Sequence, residues 1–495
     1  MKPEEFRALV LQAAIHGKLV PQDPNDEPAS VLLEKIRAEK QRLISEGKIK
    51  KSKNDSFIFK RDNHYYENTN GKEICIDDEI PFEIPEQWAW VRLHSFGAMG
   101  GGKTPSTDDE SFWGGDIPWI SSKDVKTDVI YKTGRCLTEL GASSMQMYSS
   151  RSLIFVMRSG VLRHTFPVSI LGIDSTVNQD IKVITIENGT YHQYLYYAIV
   201  SRESFILNSC SKDGTTVESI DDKKLKQLLI PLPPHSEQEK IVSHIIELQS
   251  IADYQEQMIH SVDEFTKQLK SSILSNAIQG KLVPQDPNDE PVKIDCKNPI
   301  IRRDNSYYEF IGGKEKCIDE EIAFDIPDTW QWTRLGYISN YGKNESVATK
   351  DIPDEAYIIE LENIEKDTGR IIGYTPRQSL TESSTHHVFS KGDVLYSKLR
   401  PYLNKVVIPD YDGFCSGEIM ALYFDDMIVP EYAQLYLMSP YFVEYAMSKA
   451  YGCKMPRLGT TDGKRALVAI PPISEQKRIV GKIRELKSFT NQLSC

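Results

Sequence analysis

The 495-residue chain contains one framework twice, and this duplication limits the folds open to it. The stretch GKLVPQDPNDEP begins at Gly17 and returns unchanged at Gly280. A block of 33 residues that opens with RDN starts at Arg61 and again at Arg303, and 21 of its 33 positions are identical. Because long blocks recur in the same order, the chain is predicted to fold as two similar halves.

A third pair of blocks completes each half. PPHSEQEKIVSHIIEL begins at Pro233, and PPISEQKRIVGKIREL begins at Pro471. Between the second and third blocks lie two long regions, residues 94–230 and 336–468, whose sequences hardly resemble each other. The sequence therefore predicts one scaffold used twice, with a different insert in each half.

A long helix is predicted between the halves, because residues 236–278 contain neither proline nor glycine. Ser236 is the expected N-cap and Gly280 the expected stop. The length, about 60 Å at 1.5 Å per residue, favours a coiled coil or spacer over a core helix of a globular domain. Apolar residues recur at coiled-coil spacing, broken by Gln255 and Thr266: Ile241, Ile245, Leu248, Ala252, Ile259, Val262, Leu269 and Ile273.

The sequences at the two chain ends are predicted to complete each other. EFRALVLQAAIHGKLVPQ, from Glu5, matches QLKSSILSNAIQGKLVPQ, from Gln268, whereas the C-terminal copy of the long helix breaks off at Cys495. The repeat is thus circularly organised. We expect residues 1–16 and 474–495 to pack together beside the central helix, with the halves about a pseudo-two-fold axis.

A further helix is predicted for ASVLLEKIRAEKQRLISEG, which carries Leu32, Ile36 and Leu43 on one stripe and ends at Gly47. The basic tail KIKKSK follows it. We interpret this tail as a solvated linker, with phosphate contact as the alternative.

Both inserts read as α+β domains. Short β-branched and aromatic runs, punctuated by Gly, Asp, Asn and Pro, predict strands: SLIFVM, IKVITI, YIIEL, KVVIP and IMALYF. One helix is predicted to follow in each insert, YHQYLYYAIVSRESFIL in the first and PEYAQLYLMSPYFVEYAMS in the second.

Charge and cysteine content narrow the function. The formal net charge of −12 argues against a uniformly basic nucleic-acid binder but leaves room for local basic patches. No apolar run is long enough to predict a membrane span. Eight cysteines without a C-x-x-C pair favour reduced thiols over a disulfide framework or a zinc site.

Basic segments lie in both inserts. They are KGDVLYSKLRPYLNK and KAYGCKMPRLGTTDGKR in the second and MRSGVLRH, near NQDIK, in the first. Arg, Lys, Asn and Gln are the side chains that bond guanine and adenine edges. Such patches are also common as solvated faces, so the residues alone leave both interpretations open.

Together with the duplicated framework, several stretches resemble the specificity subunit of type I restriction-modification enzymes. They are IPEQWAWVRL, FWGGDIPWISSKDV, NQDIK, GDVLYSKLRPYLNK and the pair IPLPPHSEQEKIV and IPPISEQKRIV. The resemblance covers nearly the whole chain and rests on the order and duplication of these stretches. The long segments before each insert depart from minimal members of the family.

The resemblance implies an α+β fold in which two α/β target-recognition domains are separated by long antiparallel coiled-coil helices. Each domain would read one half of an asymmetric, bipartite site on double-stranded DNA. The helices would fix the spacer and dock two methyltransferase subunits, and restriction subunits would join that core. The subunit itself would be cytoplasmic and carry no catalytic centre, cofactor or metal.

The segments implied are an N-terminal helical segment, a first target-recognition domain, a central long helix, a second target-recognition domain, and a C-terminal helix that pairs with the N-terminal one. Their boundaries are 1–60, 61–232, 233–300, 301–470 and 471–495.

The expected DNA-binding residues are polar, basic and aromatic residues of the quoted stretches. They are Gly102, Thr104, Ser106, Trp119, Ser121, Arg158, Arg163, Asn178 and Gln179 in the first insert, and Lys398, Arg400, Tyr402, Asn404, Lys405, Lys454 and Arg457 in the second.

Two other functions stay open. GAMGGGKT, from Gly97 to Thr104, fits the phosphate-loop pattern G-x-x-x-x-G-K-[ST] and would suit a nucleotide-binding enzyme. Pro105 argues against this, since a residue before proline avoids the helical angles that the pattern needs. GGGKTPS is therefore expected to be a surface loop that leads into the recognition domain. The third possibility is a coiled-coil interaction protein without a role in DNA binding.

Overall fold

The computed structural model describes residues 1–45, 56–186, 191–212 and 217–492. They form two compact units, Met1–Met258 and Ile259–Cys495. Both units combine helices with small sheets, so the predicted α+β class is confirmed.

The first unit holds six helices of its own among the described residues and the start of a seventh. Helices are α1 (Pro3–Ile15), α2 (Ala29–Ser45), α3 (Glu139–Ala142), α4 (His192–Val200), α5 (Glu203–Ser209), α6 (Asp222–Lys226) and α7 (His235–Ile278). Strands are β1 (Ser56–Arg61), β2 (His64–Thr69), β3 (Lys72–Cys75), β4 (Ala89–Arg92), β5 (Gly97–Gly101), β6 (Trp113–Ile120), β7 (Val129–Ile130), β8 (Arg135–Leu137), β9 (Leu153–Val156), β10 (Val168–Leu171), β11 (Thr176–Val177), β12 (Ile181–Ile186) and β13 (Leu229–Leu232).

The second unit follows a similar plan. Its strands are β14 (Ile300–Arg303), β15 (Ser306–Ile311), β16 (Lys314–Cys317), β17 (Gln331–Arg334), β18 (Ser346–Ala348), β19 (Ile358–Ile359), β20 (Thr385–Phe389), β21 (Val394–Ser397), β22 (Val406–Val407), β23 (Gly413–Ser416), β24 (Ile419–Leu422) and β25 (Leu467–Ile470). Its helices are α8 (Leu335–Ile338), α9 (Pro430–Leu437), α10 (Pro440–Lys449), α11 (Thr460–Arg465) and α12 (Ile473–Gln492), together with the end of α7.

The sheets show that the two unlike inserts share a backbone plan. The first sheet along the chain in each unit is three-stranded and antiparallel, β1-β2-β3 or β14-β15-β16. A two-stranded ribbon, β4 with β13 or β17 with β25, closes each insert. Inside the inserts, β9 pairs with β12 as β21 pairs with β24, and β6 runs parallel to β11 as β19 runs parallel to β23. The likeness of the halves therefore extends into the regions whose sequences differ.

The predicted strands are confirmed in all five quoted runs, where β9, β12, β19, β22 and β24 form. The helical runs are each split in two, so the prediction of one helix per insert is wrong. Arg202 separates α4 from α5. Ser439 separates α9 from α10 because it precedes Pro440, which restricts its backbone, and its hydroxyl caps the new helix through the N–H of Phe442.

The central helix α7 matches its predicted extent within one residue. Ser236 is not the N-cap, because the carbonyl of Pro234 accepts the first helical bond, from the N–H of Gln238 at 3.1 Å. Gly280 follows the helix in the left-handed conformation, with φ of 72°, as expected for a stop.

The predicted stripe on α7 is buried at its beginning, where Ile241 and Ile245 lie in the first core. Its middle is different, because Ile259 and Val262 are exposed. Thr266, predicted to interrupt the stripe, is buried. The antiparallel coiled coil, the pseudo-two-fold axis and the pairing of the two terminal helices stay predictions.

Helix α7 contributes residues to both units. In the first unit, α1 contacts the first part of α7, where Arg7 forms ion pairs with Asp253 at 2.6 Å and Glu256 at 2.8 Å. In the second unit, the last part of α7 packs with α12, since Ile273 and Ile479 belong to one core. One long helix thus serves both units.

The repeated GKLVPQ stretch is fastened to the start of a helix in both units. Gln22 donates to Glu237 of α7 at 2.6 Å, and Gln285 donates to Glu475 of α12 at 2.5 Å. Both glutamates are buried. Burial raises the pKa of each carboxyl group above its ordinary value.

A buried arginine joins each three-stranded sheet to its insert. Arg92 pairs with Glu67 at 2.7 Å and donates to the carbonyl of Gln227 at 2.8 Å. Arg334 pairs with Glu309 at 2.6 Å and donates to the carbonyl of Arg465 at 2.8 Å. These bonds run from β2 or β15 to the end of α6 or α11, so the extra sheet and the insert hold each other in place.

Three sequence predictions lie wholly or partly outside the described residues. They are the KIKKSK tail, the stop at Gly47, and the side chains of Ile36 and Leu43. Within the described residues, none of the helices has the length and apolar character needed to cross a bilayer. The seven cysteines in this part of the chain are free thiols.

Candidate nucleic-acid interface

Several loops of the first insert meet at one end of its sheets, and we call this surface the first recognition edge. It comprises residues 102–106, 121–124, 157–163, 178–180 and 217–220. Main-chain bonds tie these loops together: Lys103 N–H to Val177 O at 3.1 Å, Asn178 N–H to Ile120 O at 2.9 Å, Met157 N–H to Asp180 O at 2.7 Å and Ser159 N–H to Glu218 O at 3.1 Å. The loops gather here because strands β5 and β9 end, and strand β12 begins, at the same end of the sheet β5-β12-β9-β10-β7.

Most residues expected to bind DNA in the first insert lie together on this edge. The Trp119 indole N–H donates to the carbonyl of Lys103 at 3.0 Å, which fixes the loop that carries Thr104 and Ser106. The hydroxyl of Thr104 bonds the side-chain oxygen of Gln179. Ser121 donates its hydroxyl to Asp124 at 2.7 Å, so it caps its own turn.

A cleft of about 460 Å³ opens on the edge. Its lining includes Trp119, Ser121 and Asn178, together with four charged residues that were not predicted from the sequence, namely Lys123, Asp124, Arg135 and Asp180. The guanidinium of Arg135 lies 5.2 Å from the ring centroid of Trp113. The cleft therefore presents amide, hydroxyl, carboxylate and cationic groups side by side.

Arg158 and Arg163 lie on the same edge but are held differently. Arg158 is exposed and pairs through its backbone with Ser219. Arg163 ends a short 3-10 turn and donates its Nε–H to Glu218 at 3.0 Å. The ion pair partly satisfies Arg163, whereas the side chain of Arg158 is open to solvent.

The glycine-rich stretch does not form a phosphate loop. Its residues from Gly97 to Gly101 are strand β5, so GGGKTPS begins inside a sheet, and the expectation of a surface loop is wrong for Gly100 and Gly101. No helix follows within reach, because the next regular element is a three-residue turn before β6. Glycine is required for packing, since a Cβ at Gly102 would lie 1.7 Å from the carbonyl oxygen of Val177.

A second recognition edge forms at the equivalent end of the second insert, from residues 360–363, 398–404, 416–418 and 451–458. Lys398 N–H bonds Glu418 O at 3.1 Å, Arg400 N–H bonds Pro456 O at 2.7 Å, and Leu458 N–H bonds Lys398 O at 3.0 Å. The two basic segments singled out in this insert, about 50 residues apart in sequence, thus form one surface.

The turn from Arg400 to Asn404 has a strained backbone, and its side chains divide between solvent and the protein interior. Both residues adopt left-handed angles, with φ of 51° and 49°, which is uncommon for residues other than glycine. Tyr402 at its tip is half exposed. The amide of Asn404, however, donates to Met438 O at 3.1 Å, and the amine of Lys405 bonds Leu361 O, so both groups are already bonded inside the protein. Partial burial lowers the pKa of Lys405.

Arg457 is the best-fixed cation of the second edge. Its Nε and Nη2 atoms both donate to Oε1 of Glu418, at 3.0 and 2.9 Å. These bonds raise the pKa of Arg457 above its ordinary value. Its main chain exchanges two bonds with Tyr451, while Lys454 between them is exposed.

Comparison with known proteins gives the context of these edges. Residues 85–271 match a family described as the type I restriction modification DNA specificity domain. The type I restriction enzyme EcoAI specificity subunit of Escherichia coli is 26% identical, over 99% of this chain and 90% of that protein. Along nearly its whole length, the chain is therefore similar to specificity subunits of type I restriction enzymes.

Two further comparisons fit this family. The EcoR124I/EcoR124II specificity subunit of Escherichia coli is 36% identical over a shorter stretch, 31% of this chain and 39% of that protein. We also compared the fold with a solved structure from work on complex assembly and conformational transition of the type I R-M system. The match covers 84% of this chain and 93% of the solved chain, with a TM-score of 0.59 and 19% sequence identity. That likeness supports the fold.

The two edges of this chain can be matched residue by residue through their main-chain bonds. Met157 N–H to Asp180 O corresponds to Lys398 N–H to Glu418 O, and Ser159 N–H to Glu218 O corresponds to Arg400 N–H to Pro456 O. Sequence reasoning missed Asp180 and Glu418, since an isolated acidic residue is usually a solvated one. Their position just before the strands IKVITI and IMALYF is the signal that could have found them.

Proposed function

We propose that the chain is the DNA sequence-recognition subunit of a type I restriction-modification complex, and that each recognition edge reads one half of an asymmetric, bipartite DNA site. The observation that carries this proposal is one backbone frame with two unlike sets of side chains. A shared frame suits a duplex whose backbone geometry is the same at both half-sites, and unlike side chains suit different base sequences.

The polar content of the edges supports DNA as the ligand. The first edge carries Thr104, Asn178 and Gln179, and the second carries Lys398 and Arg457. Amides and guanidinium groups are the side chains that form paired bonds with base edges, and lysines suit phosphates. The sixteen residues predicted above remain the proposed DNA-binding set, with Asn404 and Lys405 contributing through the turn that they stabilise.

The methyltransferase subunits are the proposed partners of α7. Large apolar residues stand exposed along its middle at spacings of three and four, which is typical of a helix that packs against other helices: Ile251, Tyr254, Met258, Val262 and Phe265. A helix that keeps such a stripe in water is suited to a partner. In this proposal restriction subunits join through the methyltransferase core, catalysis belongs to the partners, and the complex works in the cytoplasm.

An insert exchange tests the reading proposal. β4 and β13 pair with Arg92 opposite Leu229, so the two ends of insert 94–230 emerge side by side and can be replaced together. Grafting the corresponding insert of another specificity subunit should change one half of the methylated sequence and leave the other half and the spacer unchanged. Sequencing of methylated adenines in DNA from cells that express the chain with its methyltransferase partner gives the result. A change in both halves, or in neither, contradicts the proposal.

The docking proposal has its own test. Tyr254→Asp and Phe265→Asp should abolish co-purification with the methyltransferase subunit, because each places a charge on the apolar stripe. Gln255→Asp, an equally exposed polar position of the same helix, is the matched control and should leave co-purification intact. Equal retention of all three variants contradicts docking at this stripe.

A further inference from the structure

Asp180 and Glu418 occupy the same backbone position in two edges whose sequences differ. Each offers its carbonyl oxygen to the residue that follows the neighbouring strand, Met157 at 2.7 Å and Lys398 at 3.1 Å. Each also directs its carboxylate at a side chain capable of reading a base. Because the frame is shared and the partner differs, the carboxylate is the constant part of both edges.

In the second edge, the carboxylate of Glu418 holds the guanidinium of Arg457 from one side. A guanidinium has five N–H donors, and the bonds from Nε and Nη2 to Glu418 use two of them. The three donors that remain lie on Nη1 and Nη2, at the outer end of the group. The side chain is one-third exposed, and the backbone of Arg457 is held by an antiparallel β-bridge to Tyr451. Two parallel donors at the outer end match O6 and N7 of guanine in the major groove.

In the first edge, the carboxylate of Asp180 determines which way an exposed amide points. A carboxylate only accepts, so Nε2 of Gln179 must be the atom that faces Asp180, at 3.3 Å. Oε1 of Gln179 then bonds the hydroxyl of Thr104. One N–H and one lone pair of the amide remain free, and a donor beside an acceptor matches N7 and N6 of adenine. Asn178, also bonded to Asp180, is buried, whereas Gln179 is exposed, so the base-reading role falls to Gln179 and Asn178 supports the edge from below.

We infer that Asp180 and Glu418 are equivalent positioning residues, which orient Gln179 to read an adenine in the first half-site and Arg457 to read a guanine in the second. This inference rests on the proposed function and adds the base class to it.

The test replaces the reader and its positioning residue in the full chain with its methyltransferase partner, and maps methylated sites. Arg457→Gln should lower discrimination for guanine at one position of the second half-site by about 10-fold or more and leave the first half-site unchanged. Arg457→Lys, which keeps the charge but not the paired donors, should do the same. Gln179→Ala should relax one adenine of the first half-site.

Glu418→Gln separates a positioning role from a merely structural one. It keeps the size of the side chain but loses the acceptor pair, so it should relax the same guanine position that Arg457→Gln relaxes. Arg303→Gln is the matched control, because Arg303 forms a similar paired bond with Glu315, at 2.9 and 3.1 Å, in the three-stranded sheet. It should leave both half-sites unchanged.

The outcomes separate this inference from the proposed function. If the unaltered chain directs methylation to a bipartite sequence but Arg457→Gln and Arg457→Lys leave every position as strict as before, the inference is wrong and the recognition role stands. If the second half-site of the unaltered chain contains no guanine, the inference is likewise wrong and the recognition role stands. If the unaltered chain directs no sequence-specific methylation, the proposed function itself fails. Should Arg457→Gln fold poorly in thermal melts, Arg457→Lys and Glu418→Gln decide the question.

Discussion

Trp88 donates its indole N–H to the buried carboxylate of Glu237 at 2.9 Å. The second unit repeats the bond between Trp330 and Glu475 at 2.8 Å. Each glutamate also accepts a bond from the glutamine of a GKLVPQ stretch. The most strictly repeated residues of the sequence thus form a clasp at the start of a helix in both units.

Removing one donor of this clasp should be costly. Trp88→Phe keeps an aromatic ring, although a smaller one, but leaves one oxygen of a buried carboxylate without a partner, which typically costs about 1–3 kcal/mol. We expect the urea midpoint of the first unit to fall accordingly. Trp113→Phe is the control, because its N–H bonds the carbonyl of exposed Ser106 at 2.9 Å, where water can replace it. Equal falls of the urea midpoint in the two variants would show that the bond from Trp88 to Glu237 adds no more stability than a solvent-exposed bond.

The clasp should also make stability depend on pH. Burial raises the pKa of Glu237 in the folded chain. The folded state therefore binds this proton more tightly than the unfolded state, so the associated stability is fully present below the unfolded pKa of about 4.3 and is lost as pH rises through the raised folded value.

Glu237→Gln removes this titration. Between pH 4 and pH 8, the denaturation midpoint of the wild type should fall relative to that of the variant. Glu4→Gln, an exposed position on α1, provides the control. A difference between wild type and Glu237→Gln that does not change with pH would contradict the shift.

Arg92→Met should destabilise the first unit strongly. The guanidinium is buried between Glu67 and Glu79, at 2.7 and 2.8 Å, and its loss leaves carboxylate charge without a partner. Breaking a buried pair in this way costs about 3–5 kcal/mol. Arg61→Met, which breaks the half-exposed pair with Glu73, should cost no more than about 1 kcal/mol. Denaturation curves that rank the two variants the other way would refute this account.

Gly102→Ala should disturb the first recognition edge alone. Its Cβ would collide with the main chain at Val177, so the loop that carries Lys103 and Thr104 must shift, at a cost of about 1–3 kcal/mol. Competition binding with duplexes altered in one half-site should show weaker discrimination at the first half-site. Gly160→Ala meets open space on the same edge and should behave as wild type. Loss of discrimination at both half-sites would mean that the edges do not read separately.

Much of the scaffold could be predicted from local patterns. The repeats predicted two similar halves, and runs of β-branched and aromatic residues predicted strands such as β12 and β24, because composition over a few residues is a local property of the chain. The N-cap of α7 was missed, since whether Pro234 or Ser236 begins the helix depends on which carbonyl accepts the first bond. The split at Arg202 was missed because the run there has no helix breaker.

The candidate site was predicted in part. Thr104, Trp119 and Gln179 were selected from separate stretches, and the structure brings them together. Asn404 and Lys405 were selected for their chemistry, yet their side chains bond carbonyls inside the protein. Composition cannot tell an outward amide from an inward one, because that choice depends on the backbone angles of the turn.

By itself, the sequence determined the duplicated scaffold, the long helix α7 and the strands of the quoted runs, and its repeated stretches carried the resemblance to specificity subunits. These follow from repeated letters and from the spacing of apolar side chains, which any fold of the chain must satisfy. Only the tertiary structure decided which distant loops share an edge, and that Asp180 and Glu418 hold equivalent places beside different side chains. The reason is that hydrogen bonds between strands far apart in sequence fix these positions. No local pattern of residues indicates which distant strands will pair.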